Sequence, residues 1–180
     1  MNTALVVFAD GSEELEAVTV INILRRGGID VTVAGLHEGP HRGSRGTVLV
    51  PDTTLDKALA HQYDMVVLPG GQPGTNHLKA DARVLKLVRQ MSEAGKQVAA
   101  ICAAPSVLAE AGLLDGKRAT SFPTCLDEYP GVRLQSAAVI EDGNIVTSRG
   151  PGTAMDFALV LLERLVGHAK RQEVEAGLVR

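Results

Sequence analysis

The stretch Val98-Ala99-Ala100-Ile101-Cys102-Ala103-Ala104-Pro105 decides the fold that we predict for this chain. Gln97 to Ile101 is short and apolar, which is typical of a strand that is covered on both faces of a parallel sheet. Pro105 has the fixed φ angle that favours the first position of a helix. Cys102 is therefore predicted to lie on a tight turn between a buried strand and a helix, the geometry of a nucleophile elbow with cysteine in place of serine.

The residues around Cys102 favour a chemical role for its thiol. Ala100, Ala103 and Ala104 are small, so the strand and the helix can approach each other without clashes. The free N–H groups and the positive dipole end of the following helix favour a thiolate, so we expect the pKa of Cys102 to be lowered. The alternative is a small buried hydrophobe, and the order of strand, cysteine, small residues and proline favours the nucleophile.

Strands and helices alternate along the chain on both sides of this stretch. Further strands are predicted at Thr3–Phe8, Ile29–Leu36, Thr47–Val50 and Met65–Leu68, with a hairpin of Ala137–Ile140 and Asn144–Thr147. Helices are predicted for roughly 15 residues up to Gly27-Gly28 and for Asp52–Ala60, Asp81–Gly95, Ser106–Gly112, Ala154–Val166 and His168–Gly177. Loops are expected at Glu38–Gly46 and Pro69–Gly74. The alternation predicts one domain over residues 1–180, with a doubly wound, mostly parallel α/β sheet and helices on both faces.

A ligand in such a sheet binds beyond the carboxyl ends of the strands. Four loops of the chain qualify by position, and they follow Phe8, Leu68, Ile101 and Thr147. Each contains glycine or small residues, so backbone N–H groups are free to face a ligand there.

Composition argues against several classes of function. A net charge of −3 and a pI near 5.9 give no electrostatic footprint for nucleic acid or for a membrane surface. The two cysteines and five histidines have no zinc-ligand spacing, so we expect no metal. No basic segment with a long apolar run precedes the first strand, which predicts a cytoplasmic protein with reduced cysteines.

Glu16 is the acidic residue whose spacing stands out. It shares a helical stripe with Val20 and Ile23, so its carboxyl is expected to lie over a partly apolar strip and to hold its proton. Beside a cysteine, such a group serves as an acid or a base near neutral pH. The alternative is that Glu16, like Glu13 and Glu14, only complements the dipole of the helix.

Backbone donors complete the predicted site, and no histidine is assigned to it. If the N–H groups of Gly71 and Ala103 face one point, they form an oxyanion site for a carbonyl attacked by sulfur. The histidines lie in loops or at the ends of elements, and nothing in the sequence places any of them near Cys102. His77, which follows the glycine-rich loop, is interpreted as a surface residue at a helix start. Cys125 lacks an elbow and is interpreted as a bystander or a secondary redox site.

Four motifs of the chain, in this order, resemble those of the ThiJ/PfpI superfamily, in its Parkinsonism-associated protein deglycase branch. They are Gly11–Val18, Val67–Gly71, Ala99–Pro105 and Thr147–Thr153, and the likeness extends over almost the whole chain. The resemblance implies a flavodoxin-like fold, similar to that of class I glutamine amidotransferases, in a homodimer. It also implies that Cys102 is the nucleophile, that Glu16 is a protonated carboxyl beside it, and that Gly71 and Ala103 are backbone donors.

The activity that this resemblance implies is that of a cofactor-independent glyoxalase or protein deglycase. Its substrates would be methylglyoxal, glyoxal or their early adducts, including glycated protein. The alternative is a redox-sensing chaperone in which Cys102 is oxidised to the sulfinate.

A cysteine hydrolase or amidotransferase-like enzyme ranks lower. Ala103 stands where protease-like members of the superfamily have a histidine, and Phe122 stands where the branch often has one. Arg26 and Arg45 match family arginines near the site and the interface, but surface arginines are usually only solvated, so we leave both out of the catalytic set.

Overall fold

The computed structural model describes residues 1–180 and contains a seven-stranded sheet with helices on both faces. Numbered in chain order, the strands of this sheet are β1 (Thr3–Phe8), β2 (Asp30–Gly35), β5 (Thr53–Thr54), β6 (Met65–Leu68), β7 (Gln97–Ile101), β10 (Val139–Asp142) and β11 (Ile145–Ser148). Their spatial order is β10-β11-β7-β6-β1-β2-β5, and only the β10–β11 hairpin is antiparallel. The predicted mostly parallel, doubly wound α/β sheet is confirmed.

Two short ribbons lie outside this sheet. One pairs β3 (His41–Arg42) with β4 (Val48–Leu49), and the other pairs β8 (Arg118–Ala119) with β9 (Arg133–Leu134). The prediction of an unbroken loop over Glu38–Gly46 is therefore wrong at β3. The predicted hairpin is present, but β10 continues to Asp142 and its turn lies at Gly143 and Asn144.

Helices cover the two faces of the sheet in separate groups. One face carries α1 (Glu14–Arg26), α6 (Ala154–Val166) and α7 (His168–Ala176), and the other carries α2 (Leu55–Ala58), α3 (Gly74–Ala80), α4 (Ala82–Glu93) and α5 (Pro105–Glu110). Strand β1 serves both layers, because Ala4 and Val6 pack toward α1 while Leu5 and Val7 pack toward the opposite helices. None of the helices combines the length and hydropathy that crossing a bilayer requires.

This arrangement brings four loops to one edge of the sheet. Strands β1, β6, β7 and β11 are adjacent and parallel, so the loops that follow them meet at their carboxyl ends. The loop after β11 begins a 3₁₀ turn at Pro151–Thr153 that leads into α6.

Candidate active site

Cys102 lies at the junction between β7 and the turn that begins α5. Its φ angle is +64°, in the left-handed region that a residue with a side chain rarely adopts. The Cys102 N–H donates to the carbonyl of Ser148 at 3.0 Å, and its own carbonyl accepts from the N–H of Phe122 at 2.7 Å. Two neighbouring segments thus hold the strained backbone in place, as the elbow prediction requires.

The Glu16 carboxyl is fully buried in the first turns of α1. Its Oε2 accepts a hydrogen bond from the N–H of Gly70 at 2.8 Å. Its Oε1 is buried without a partner of normal hydrogen-bond geometry, and the side chain of Cys102 interacts with the same carboxyl. The burial that the helical stripe of the sequence predicts for Glu16 is therefore present, and the fold brings the carboxyl to the thiol.

Each member of this pair changes the ionisation of the other. Burial raises the pKa of Glu16 to about 7, although the Gly70 N–H and Cys102 oppose the shift. Burial, and then the negative charge of Glu16, raise the pKa of the Cys102 thiol to about 12. The pair thus accepts one negative charge near neutral pH and resists a second one.

The expected lowering of the thiol pKa is therefore wrong for this environment. Helix α5 has only six residues, so its dipole is small, and Cys102 is only 8% exposed. The N–H groups of Gly71 and Ala103 do favour the thiolate, but the desolvation and the Glu16 charge outweigh them.

Two backbone donors face the sulfur. The N–H groups of Gly71 and Ala103 donate to no backbone carbonyl, and both interact with the Cys102 thiol. Gly71 has a φ angle of +85°, which glycine adopts without strain. A Cβ atom on Gly70 would overlap the Cβ of Cys102 and the backbone of Ala103, so the Gly-Gly pair permits this close approach.

A cleft of about 370 Å³ opens over the sulfur. It is lined by Glu13, Ser44, Arg45, Gly71, Gln72, Cys102, Ala103, Phe122, Cys125 and Pro151. Glu16 lies behind the sulfur and not on the cleft wall. No histidine lines the cleft, and His77 lies outside it with Nδ1 2.8 Å from the carbonyl of Asp10.

The other acids of the first turn of α1 hold one wall of this cleft. The Glu14 carboxylate accepts from the N–H groups of Arg45 and Thr47 at 3.1 Å, and the Ser44 hydroxyl donates to Glu13 at 2.7 Å. The interpretation of Glu13 and Glu14 as dipole partners alone is therefore incomplete. Their hydrogen bonds hold the loop of residues 43–47 in place, and no local sequence pattern predicts these contacts.

The remaining polar candidates divide between the cleft and the surface. Arg45 lines the cleft with its side chain 82% exposed, and its Nε lies 3.9 Å from Glu13. Arg26 is exposed, contacts Asn22 and lies outside the cleft. Cys125, without an elbow of its own, nevertheless reaches the cleft wall.

Comparisons with known proteins agree with this geometry. The model of the DJ-1/PfpI family matches residues 2–164. Protein dj-1beta of Drosophila melanogaster is 44% identical over 182 residues, which cover 98% of this chain and 96% of that protein. The crystal structure of Drosophila melanogaster DJ-1beta matches with a TM-score of 0.96 over 99% of this chain and 97% of that chain. A Caenorhabditis elegans protein, glutathione-independent glyoxalase DJR-1.2, is 32% identical over 163 residues, covering 89% of this chain and 87% of its own length.

Proposed function

Because the chain belongs to the DJ-1/PfpI family, we propose that it is a cysteine enzyme that converts methylglyoxal or glyoxal, or their early adducts on proteins, without a cofactor. The observation that carries this proposal is the buried Glu16 carboxyl beside Cys102, with two free backbone N–H groups at the same sulfur. The name of the Caenorhabditis elegans relative, a glyoxalase that works without glutathione, supports the same class of reaction.

The first step is addition of the Cys102 sulfur to the aldehyde carbon of methylglyoxal. A thiolate is the nucleophilic form, and Glu16, with a pKa of about 7, is ionised often enough to take the thiol proton as the bond forms. The negative oxygen that develops on the substrate is held by the N–H groups of Gly71 and Ala103.

The next steps move one proton between the two substrate carbons. Glu16 first returns the thiol proton to the substrate oxygen, then removes the proton from the carbon that carries sulfur and delivers it to the neighbouring carbon of the resulting enediol. This produces a thioester of lactic acid on Cys102, and water releases lactate and restores the thiol. The sum of the steps is methylglyoxal plus water giving lactate, so no oxidant or reductant is needed.

Lactate release from methylglyoxal tests this reaction. We expect Cys102→Ser to reduce the rate to background and Glu16→Gln to reduce it by about 10²- to 10⁴-fold, the usual contribution of a general acid–base group. His77→Gln is the matched control, because this side chain lies outside the cleft and should leave the rate unchanged. Equal rates in all four proteins would remove the enzyme proposal.

A redox-sensing chaperone is the second candidate, and the same pocket supports it. The Gly71 and Ala103 N–H groups and a protonated Glu16 would stabilise sulfinate oxygens on Cys102. Either activity fits a role in defence against carbonyl and oxidative stress in the cytoplasm. A sulfinate confined to Cys102 after mild peroxide, in a protein without aldehyde turnover, would favour sensing. A Cys-His hydrolase lacks support because no histidine lines the cleft.

We also propose that the chain acts as a homodimer of one-domain subunits. Leu15 and Val18 are exposed on one side of α1, and Val48 and Val50 are exposed at the β4 ribbon. Leu49, between the two valines, packs in the same small cluster as Ile21 of α1. We call these four exposed residues the α1–β4 patch, and a partner subunit would remove them from water.

A further inference from the structure

The two cysteines of this chain face the same cleft. Cys102 and Cys125 are the only cysteines in the sequence, both are free thiols, and both line the space above the elbow. The aldehyde reaction proposed above uses Cys102 and leaves Cys125 without a role.

We propose that Cys125 is a resolving cysteine, which captures peroxide-oxidised Cys102 as an intramolecular disulfide. The reaction needs a hydroperoxide as its only co-reactant, and it does not depend on aldehyde turnover. Its effect would be to shield Cys102 from irreversible oxidation while closing the cleft.

The backbone brings Cys125 close to the elbow. The Phe122 N–H donates to the Cys102 carbonyl at 2.7 Å, and the Cys125 N–H donates to the Phe122 carbonyl at 3.2 Å. Such a turn keeps its first and last Cα atoms within about 7 Å, so Cys125 lies one turn from a residue that is bonded directly to Cys102. A disulfide requires Cα atoms about 4.4–6.8 Å apart, so its formation requires this turn to bring Cys125 to within that distance across the cleft that both residues line.

The segment around Cys125 is suited to that local change. Residues 122–129 form successive turns and contribute no strand or helix. Thr124, the neighbour of Cys125, has a φ angle of +69°, which is strained for a β-branched residue. Leu126 is buried in the core, so the turn is anchored directly after Cys125.

The order of the two oxidation steps follows from the surroundings of each sulfur. Glu16 and the N–H groups of Gly71 and Ala103 are hydrogen-bond partners of the Cys102 thiol, whereas Lys79 and Asp127 act on Cys125 only through their charges, so Cys102 alone has a base in contact with its proton. Cys102 therefore attacks the terminal oxygen of the hydroperoxide first. The O–O bond breaks, the thiol proton passes through Glu16 to the leaving oxygen, and Cys102 becomes a sulfenic acid.

The second step joins the two residues. The Cys125 sulfur attacks the Cys102 sulfur, the S–O bond breaks, and the hydroxyl leaves as water with the proton of Cys125. With hydrogen peroxide, two thiols and one peroxide give one disulfide and two waters. A second peroxide would otherwise carry Cys102 to the sulfinate, which cells do not generally reduce.

The test treats the wild-type protein and Cys125→Ser with one equivalent of hydrogen peroxide, followed by digestion without reductant and mass spectrometry. We expect the wild type to lose both free thiols, to yield a linked Cys102–Cys125 peptide and to recover both thiols with dithiothreitol. Cys125→Ser should form no linked peptide, and its Cys102 should proceed to the sulfinate when more peroxide is added.

Two results would overturn the proposal. One is a sulfinate on Cys102 that forms equally fast in both proteins without a linked peptide, and the other is a disulfide between two chains. If Cys125→Ser does not fold, the linked Cys102–Cys125 peptide, sought in wild-type chains that run as monomers on a denaturing gel without reductant, still decides the question. Lactate release is measured separately, on the reduced protein. A missing disulfide therefore does not contradict the aldehyde reaction, and missing lactate release does not contradict the disulfide.

Discussion

At the scale of single residues, the proposed chemistry depends on one carboxyl and one thiol that share a buried position. Glu16 is fully buried, and its pKa is raised to about 7 by that burial. The same carboxyl, once ionised, raises the pKa of Cys102. A site that tolerates one negative charge but not two is suited to pass a proton between sulfur and substrate.

The buried carboxyl has a consequence for stability. A carboxyl whose pKa is raised from 4.5 to about 7 on folding contributes stability in full below pH 4.5, and this contribution is lost as the pH rises through about 7. The loss is about 3 kcal/mol for a shift of this size. A glutamine side chain at this position would stay neutral and keep an oxygen for the Gly70 N–H. Glu16→Gln should therefore be more stable than the wild type at pH 8, and this advantage should shrink toward pH 5.

Urea unfolding of both proteins at pH 5 and pH 8 measures this difference. Glu93→Gln serves as the matched control, because Glu93 is exposed and its substitution should leave the pH dependence unchanged. If the advantage of Glu16→Gln were the same at both pH values, Glu16 would not hold its proton as we describe.

Sequence patterns identify Cys102 and Glu16 for different reasons, and they fail on the ionisation of the thiol. The run from Val98 to Pro105 predicts the elbow, and the stripe of Glu16 with Val20 and Ile23 predicts a buried carboxyl. The pKa of Cys102 depends on how much water and charge the folded chain leaves at the sulfur. The groups that set this pKa lie far apart in sequence, so local patterns predict the wrong direction for the pKa shift of Cys102.

At the scale of elements, the long strands and helices are predictable, whereas most of the two-residue strands are not. Strand β1 and helix α6 have the bounds that their apolar patterns predict. Strands β3, β5, β8 and β9 have two residues each, too few for any periodicity, and they form because neighbouring segments offer backbone partners. Helix α3 has only seven residues, and the turn-forming residues before Gly74 predict a loop where this helix begins.

One wall of the cleft depends on contacts that no local pattern reveals. Glu14 binds the backbone of Arg45 and Thr47, which lie 31 and 33 residues further along the chain, and Glu13 binds Ser44. Acidic residues are common at helix starts because they complement the helix dipole. Their presence there therefore does not indicate that they also bind a distant loop. Cys125 reaches the cleft for a similar reason, through the hydrogen bond between Phe122 and Cys102.

At the scale of the whole molecule, the α1–β4 patch predicts the state of assembly. In the proposed dimer, a charge at Val18 would be buried against the apolar patch of the partner subunit, so Val18→Lys should convert that dimer to monomers. Sedimentation velocity on both proteins measures the change. Leu134→Lys is the control, because Leu134 is similarly exposed but lies on the β9 ribbon, away from the patch. A monomeric wild type, or a Val18→Lys protein that stays dimeric, would contradict this interface.

The central claim is that Cys102 and Glu16 react as a pair that carries one negative charge. The most direct measurement is kcat/KM for lactate release from methylglyoxal as a function of pH. The pair loses its first proton near pH 7, so we predict a rate that rises with pH through an apparent pKa of about 7 and then stays level into the alkaline range. A rate that does not change across this range, or that falls as the pH rises through 7, would contradict the account.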